Sequence, residues 1–158
     1  MNRTHATRTH ATRIATATAL LALTTTACSE SDVDKAKDRA ASATAKAGEA
    51  VSSATEAAAS KMAEVKDGVD AKKDVKVDGP TKTEDDRATA KITATNTKDK
   101  KGDYTISVNF RDGDGKLLDT TVLNINDVDP AKSKSGTARS NRSLSGTPKA
   151  EIGKALRH

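Results

Sequence analysis

The chain carries few residues of the kinds that do covalent or acid–base chemistry, and their positions limit them further. Cys28 is the single cysteine among 158 residues, so no internal disulfide can form. Of the three histidines, His5 and His10 lie within the first ten residues and His158 ends the chain. A Ser-His-Asp relay would therefore depend on a terminal residue. Lys134-Ser135-Gly136 sets a serine beside a lysine, but no Ser-x-x-Lys exists to bring a nucleophile, and the tripeptide reads as a polar loop. Asp112 and Asp114 alternate with Gly113 and Gly115, a pattern that invites a test for a calcium loop. Placing Gly115 at the sixth loop position puts Phe110 first and Thr121 twelfth, where carboxylates are required, and the test fails. A looser cation site would draw on Asp112, Asp114 and either Asp127 or Asp129, whereas a solvated hairpin accounts for the same aspartates. No metal or cofactor is implied, and the expectation is a protein that is not an enzyme.

Cys28 has a context of its own. Met1–Arg13 holds Arg3, Arg8 and Arg13 and no acid, and Ile14–Ala27 is a run without charge, Pro or Gly. A basic segment, a short apolar segment and a small-residue end are the parts of a secretory signal. The apolar run falls short of the roughly 20 residues a spanning helix needs. Its end, Thr25-Thr26-Ala27-Cys28, resembles a bacterial lipobox, with Thr25 in place of the usual Leu or Val. That resemblance implies cleavage of residues 1–27, diacylglycerol on the Cys28 thiol, and anchorage to the outer face of the cell membrane. Two acyl chains satisfy the rule that stable anchoring takes two lipid signals.

The rest of the composition narrows the partners. One Phe, one Tyr and no Trp limit the size of any core, because aromatic side chains bury the most apolar area. The 27 basic residues include the three early arginines, so 24 remain beyond Cys28 against 22 acidic ones. Nucleic-acid binding would want a basic excess and stacking aromatics, and neither is present. From Pro130 to His158, however, Lys132, Lys134, Arg139, Arg142, Lys149, Lys154 and Arg157 face only Glu151. Lys132, Lys134, Arg139 and Arg142 form a candidate patch for an anionic partner such as a phosphate-rich wall polymer.

Two different periods divide the mature chain. Ala36, Ala40, Ala43, Ala47, Val51, Ala54, Ala58, Met62, Val65 and Val69 follow steps of three and four, the signature of one helix face. The eleven-residue grouping keeps that stripe almost straight along the helix. Residues 28–73 are thus expected to form an alanine-rich helical stalk or tether behind the lipidated cysteine. Gly48, Gly68 and many Ser and Thr residues weaken the helix.

Near Asp74 the period becomes two. Val75 and Val77, then Ala88–Ala94, then Tyr104, Ile106, Val108 and Phe110 alternate with polar residues. Turns are expected at Gly79-Pro80, Asn96–Gly102, Asp112–Gly115 and Asp129-Pro130, with a bulge near Thr120–Val122. Strands around Ser135–Ser140 and Lys149–Leu156 complete six or seven, a pattern for an antiparallel sandwich. The fold class is therefore mostly β, a small antiparallel sandwich over residues 74–158. Ala94-Thr95-Asn96, Tyr104–Phe110 and Asp112-Gly113-Asp114-Gly115-Lys116-Leu117-Leu118 resemble an FxLYD-type immunoglobulin-like domain, with Phe110 matching that family's Phe. The resemblance implies an exported domain without assigned catalysis. The expected core is Val75, Val77, Ile92, Tyr104, Ile106, Val108, Phe110, Leu118, Val122, Leu123, Ile125, Ile152 and Leu156.

Together these readings give a lipid-anchored surface lipoprotein that presents a non-catalytic interaction domain to an envelope partner, either a protein or an anionic wall polymer. The alternative is a structural or stress-related envelope protein whose active element is the alanine-rich helix. A hydrolase using paired carboxylates ranks last, because no motif places a pair.

Overall fold

The computed structural model describes residues 30–158, with side chains from residue 35 onward. Cys28 and the signal segment lie outside the described residues. One long helix, α1 (Glu30–Ala63), precedes seven strands: β1 (Val69–Asp70), β2 (Val75–Glu84), β3 (Arg87–Thr95), β4 (Gly102–Arg111), β5 (Leu117–Val128), β6 (Ser133–Ser143) and β7 (Lys149–Arg157). They form two antiparallel sheets, ordered β1-β7-β4-β5 and β2-β3-β6, so the domain is a small, mostly β sandwich.

The core follows from strand parity. Tyr104, Ile106, Val108 and Phe110 all have 0% exposure on the inner face of β4, because side chains two apart share a face. Opposite them β3 presents Ala88, Ala90, Ile92 and Ala94, each at 2% exposure or less. Large side chains on one sheet thus meet mainly methyl groups on the other, which lets the sheets approach closely around two aromatics. The Tyr104 hydroxyl donates to the Thr95 carbonyl at 3.2 Å, which satisfies the one polar atom the core takes in from an aromatic ring.

Three expectations need correction. Gly79-Pro80 is not a turn: β2 continues through it, and the register slips between Asp78 and Lys82, with Gly79 at φ 75°. Glycine accommodates the positive φ of a bulge, and proline's missing N–H is tolerated there. The chain reverses instead at Asp85-Asp86, at φ 46° and 59° between the paired residues Glu84 and Arg87. This is a type I′ hairpin built without the glycine that such turns favour. Asp86→Gly should therefore raise the melting temperature by a few degrees, about 0.5–1 kcal/mol of relieved backbone strain. A scanning calorimetry trace that is unchanged or lower would contradict this.

The bulge expected at Thr120–Val122 is also misplaced. Pairing with β4 runs unbroken from Asp119 to Ile125, and the two slips fall outside it, beside Leu118 and between Ile125 and Val128. Val122 faces outward in ordinary alternation, and it is apolar because α1 covers that face. Finally, α1 ends at Ala63, although the apolar stripe continues to Val65 and Val69. Asp67 takes a left-handed φ of 57°, and Val69 joins β1, paired with Arg157. Val77, Leu118, Val122, Leu123 and Ile152 of the expected core are half-buried, whereas Val128, Ala138 and Ala155 are buried and were not anticipated.

The first half of α1, to Glu49, is exposed from Lys35 onward. The second half lies on the outer face of the β4–β5 sheet, with Ala58 and Met62 buried. Ala50–Lys61 lies beside Asp119–Val122, and Lys61–Lys66 beside Thr105 and Asn124. The helix therefore runs in the same direction as β5.

Candidate functional site

The four basic residues of the candidate patch do not converge. Lys134 pairs opposite Ala94 and Arg139 opposite Thr89, on opposite faces of β6 and about 17 Å apart along the strand. Lys134 Nζ donates to the Asn126 carbonyl at 2.8 Å, and Arg142 Nη2 donates to the Leu118 carbonyl. Arg139 pairs with Asp85 at 3.2 Å. Lys132 lies in the β5–β6 turn, where its backbone is bound to Asn96 and Asp129. Three of the four side chains thus serve local contacts, because a strand sends successive side chains to opposite faces.

The aspartates behave similarly. Asp112 Oδ1 accepts the backbone N–H groups of Asp114 at 3.0 Å and Lys116 at 2.8 Å, so it organises its own hairpin. Asp127 lies at the far end of β5 and Asp129 just beyond it, about 35 Å away along the strand, so the two sets share no cation site. They hold Lys101 at 3.6 and 3.4 Å. The charge of Asp129, ahead of that of Asp127, raises the Lys101 pKa above its ordinary value. Among the described residues no cluster of three His, Cys, Asp or Glu side chains could hold a metal ion. His158 does not fray: its backbone exchanges two hydrogen bonds with Asp103, and its ring Nε2 lies 3.1 Å from Thr105 Oγ1.

Two polar constellations escaped the sequence reading. On the outer face of β2-β3-β6, Asp78 accepts a hydrogen bond from Thr93 Oγ1. Thr93 Oγ1 also lies 2.6 Å from Ser135 Oγ, and Lys76 Nζ is 3.2 Å from Asp78. Thr95 and Ser133 repeat the hydroxyl pair at 2.8 Å. Of these, Asp78 and Ser135 border a shallow groove of about 330 Å³ with Lys82, Glu84, Thr89, Lys91 and Thr137 on its walls. It offers hydroxyls, two carboxylates and ammonium groups, donors and acceptors for hydrogen bonds to a polar polymer. Alternation alone could have found it, since Thr89, Lys91, Thr93 and Thr95 share one face.

The Thr93 hydroxyl holds the Asp78 carboxyl below its ordinary pKa; burial opposes it as the next-largest effect, and Lys76 and Lys91 each add a smaller lowering. A depressed folded-state pKa stabilises the fold above the unfolded value, and that contribution disappears as pH falls through the folded one. Thr93→Val should therefore raise the Asp78 pKa toward the ordinary carboxyl value, as read by carboxyl-carbon NMR titration. An unchanged Asp78 titration would show that the hydroxyl is not the cause.

The second constellation centres on Asp119, which has 0% exposure. Its carboxylate accepts the backbone N–H of Thr120 at 2.9 Å, that of Asn141 at 2.6 Å and the Asn141 side-chain amide at 3.2 Å. This ties β5 of one sheet to β6 of the other. Asn141 also donates to the Thr120 carbonyl at 2.8 Å. Together with Arg142 on Leu118 and Lys134 on Asn126, it caps the free edge of β5 with side chains from β6. Above this edge, a groove of about 380 Å³ separates Ala50, Ala54 and Ala57 of α1 from Thr120–Val122.

Among the described residues, no helix is long and apolar enough to cross a membrane. In comparisons with known proteins, no family model, no characterised protein and no solved structure matches the chain.

Proposed function

We propose that the chain is the precursor of a surface lipoprotein, held to the outer face of the cell membrane by diacylglycerol on Cys28, which presents a small non-catalytic domain to an envelope partner. The observation that carries this reading is the run Ile14–Ala27 ending in Thr25-Thr26-Ala27-Cys28 after three arginines. The start of α1 at Glu30, two residues beyond the cysteine, supports it, because a helix so placed would lift the domain off the bilayer surface.

The strand order supports an immunoglobulin-like assignment. Sheet β2-β3-β6 against β7-β4-β5 corresponds to strands A-B-E against F-C-C′ of that fold. β1 then fills the edge position beside β7 that the closing strand G would take. The scatter of Lys132, Lys134, Arg139 and Arg142 removes the argument for a wall polymer bound by those four residues together. A partner recognised through hydrogen bonds on the hydroxyl-rich face of β2-β3-β6 fits the geometry better.

The test is metabolic labelling with radioactive palmitate in a bacterial host. The wild-type chain should take up label and partition with membranes, and Cys28→Ala should lose both. Label retained by Cys28→Ala would overturn the proposal, as would wild-type protein that stays unlabelled in the cell interior.

A further inference from the structure

We propose that the second half of α1 is a detachable strap, which docks on the β4–β5 face and releases from it while the sandwich stays folded. This goes beyond the anchoring assignment and holds whether or not Cys28 carries lipid.

The core closes without the helix. Every residue of the main apolar cluster lies between Ala71 and Ala155, with none from α1. The helix contributes only Ala58 and Met62 as buried side chains, each at 6% exposure. Among the described residues, no α1 side chain forms a hydrogen bond or ion pair with the sandwich. The bonds from Thr44 and Thr55 both return to the helix itself, at Ala40 and Val51.

The covered face is equally independent of its cover. Thr120 Oγ1 donates to Asn109 Oδ1 at 3.1 Å, Ser107 Oγ accepts the Lys154 N–H at 2.8 Å, and Thr105 is satisfied by His158. Apart from Val122, this is a face of hydroxyls and amides paired among themselves, so uncovering it leaves no orphaned polar group and exposes one valine. Open grooves of about 380 and 540 Å³ run along the border of the helix and the sheet, so water already reaches the margin of the contact.

The mechanical result is a change of reach. Docked, the helix overhangs the sandwich by residues 30–49, about 30 Å at 1.5 Å per residue. Released about the Glu64–Gly68 joint, it adds residues 50–63, about 20 Å more. Release also exposes the Thr105–Ser107–Asn109 face to solvent.

Hydrogen exchange on the chain from residue 29 onward tests this. Amides of Ala50–Met62 should exchange at least about 100-fold faster than those of Ile106 and Val108, because a helix released from its surface is only marginally stable. Met62→Ser should speed the helical amides about tenfold further and leave the β4 amides unchanged. Equal protection of α1 and β4 would overturn the proposal. So would a Met62→Ser variant that accelerates both sets alike, since either result makes the helix part of one cooperative unit.

Discussion

Asp119→Ala should bring the sandwich close to unfolding at room temperature, although it deletes an acidic side chain from a strand. The carboxylate receives three N–H groups from Thr120 and Asn141 inside the protein. Alanine would leave the backbone N–H groups of Thr120 and Asn141 without that acceptor, at about 1–3 kcal/mol for each one that water cannot reach, while the Asn141 amide keeps the Thr120 carbonyl. Asn141 is partly solvated, so a total of about 3–5 kcal/mol is expected. A domain of this size has about 5–10 kcal/mol in all. Asp119→Asn keeps one acceptor oxygen but turns an amide N–H₂ toward another donor, and should cost about half as much. Urea denaturation followed by circular dichroism distinguishes these cases. If the Asp119→Ala midpoint matched wild type, the link between the sheets would be dispensable.

The second large effect is expected at Phe110, one of the two aromatic side chains in the chain and fully buried. The facing strand β3 offers Ala88 and Ala90, methyl groups that cannot reorient to fill a vacated space. Phe110→Ala should therefore sit at the costly end of such substitutions, about 3–5 kcal/mol. That corresponds to a melting temperature lower by at least about 12 °C. Phe110→Leu restores most of the volume and should cost about 1–1.5 kcal/mol. Similar losses in the two variants would mean that the site collapses around the smaller side chain.

These two residues also mark the boundary of what the sequence reveals. Phe110 ends the cleanest alternation in the chain, and strand parity alone places it in the core with Tyr104, Ile106 and Val108. Asp119 has the same parity as Leu123 and Ile125, so alternation points it inward too. Its charge argues the opposite, and only the spatial neighbour Asn141 resolves the conflict. That neighbour is 22 residues away, a distance no local pattern spans.

The misplaced turn at Gly79-Pro80 has a related cause. The dipeptide signals irregular backbone, and both a bulge and a reversal satisfy that signal. Asp85-Asp86 carried no glycine to announce the real reversal. Val122 shows the opposite failure: an apolar residue on the outer face looked like a break in phase until the helix above it was visible. The basic residues between Lys132 and Arg142 clustered along the chain but not in space, because a strand separates its even and odd positions.

The direction of α1 has one more consequence. Because the docked helix runs alongside β5 from the Asp119 end toward Asn124, its free amino end emerges beside the Asp85-Asp86 and Asp112–Gly115 turns. A chain held at that end by lipid would keep both turns facing the bilayer, where Asp85, Asp86, Asp112 and Asp114 stand among Arg87, Lys116 and Arg139, the last paired with Asp85. Lys98, Lys100 and Lys101, in the β3–β4 loop at the opposite end of the sandwich, would point away from the cell. The strap would then govern attitude as well as height: fastened, it would hold the domain upright with these two turns down, and loosened, it would let the domain tumble on its joint.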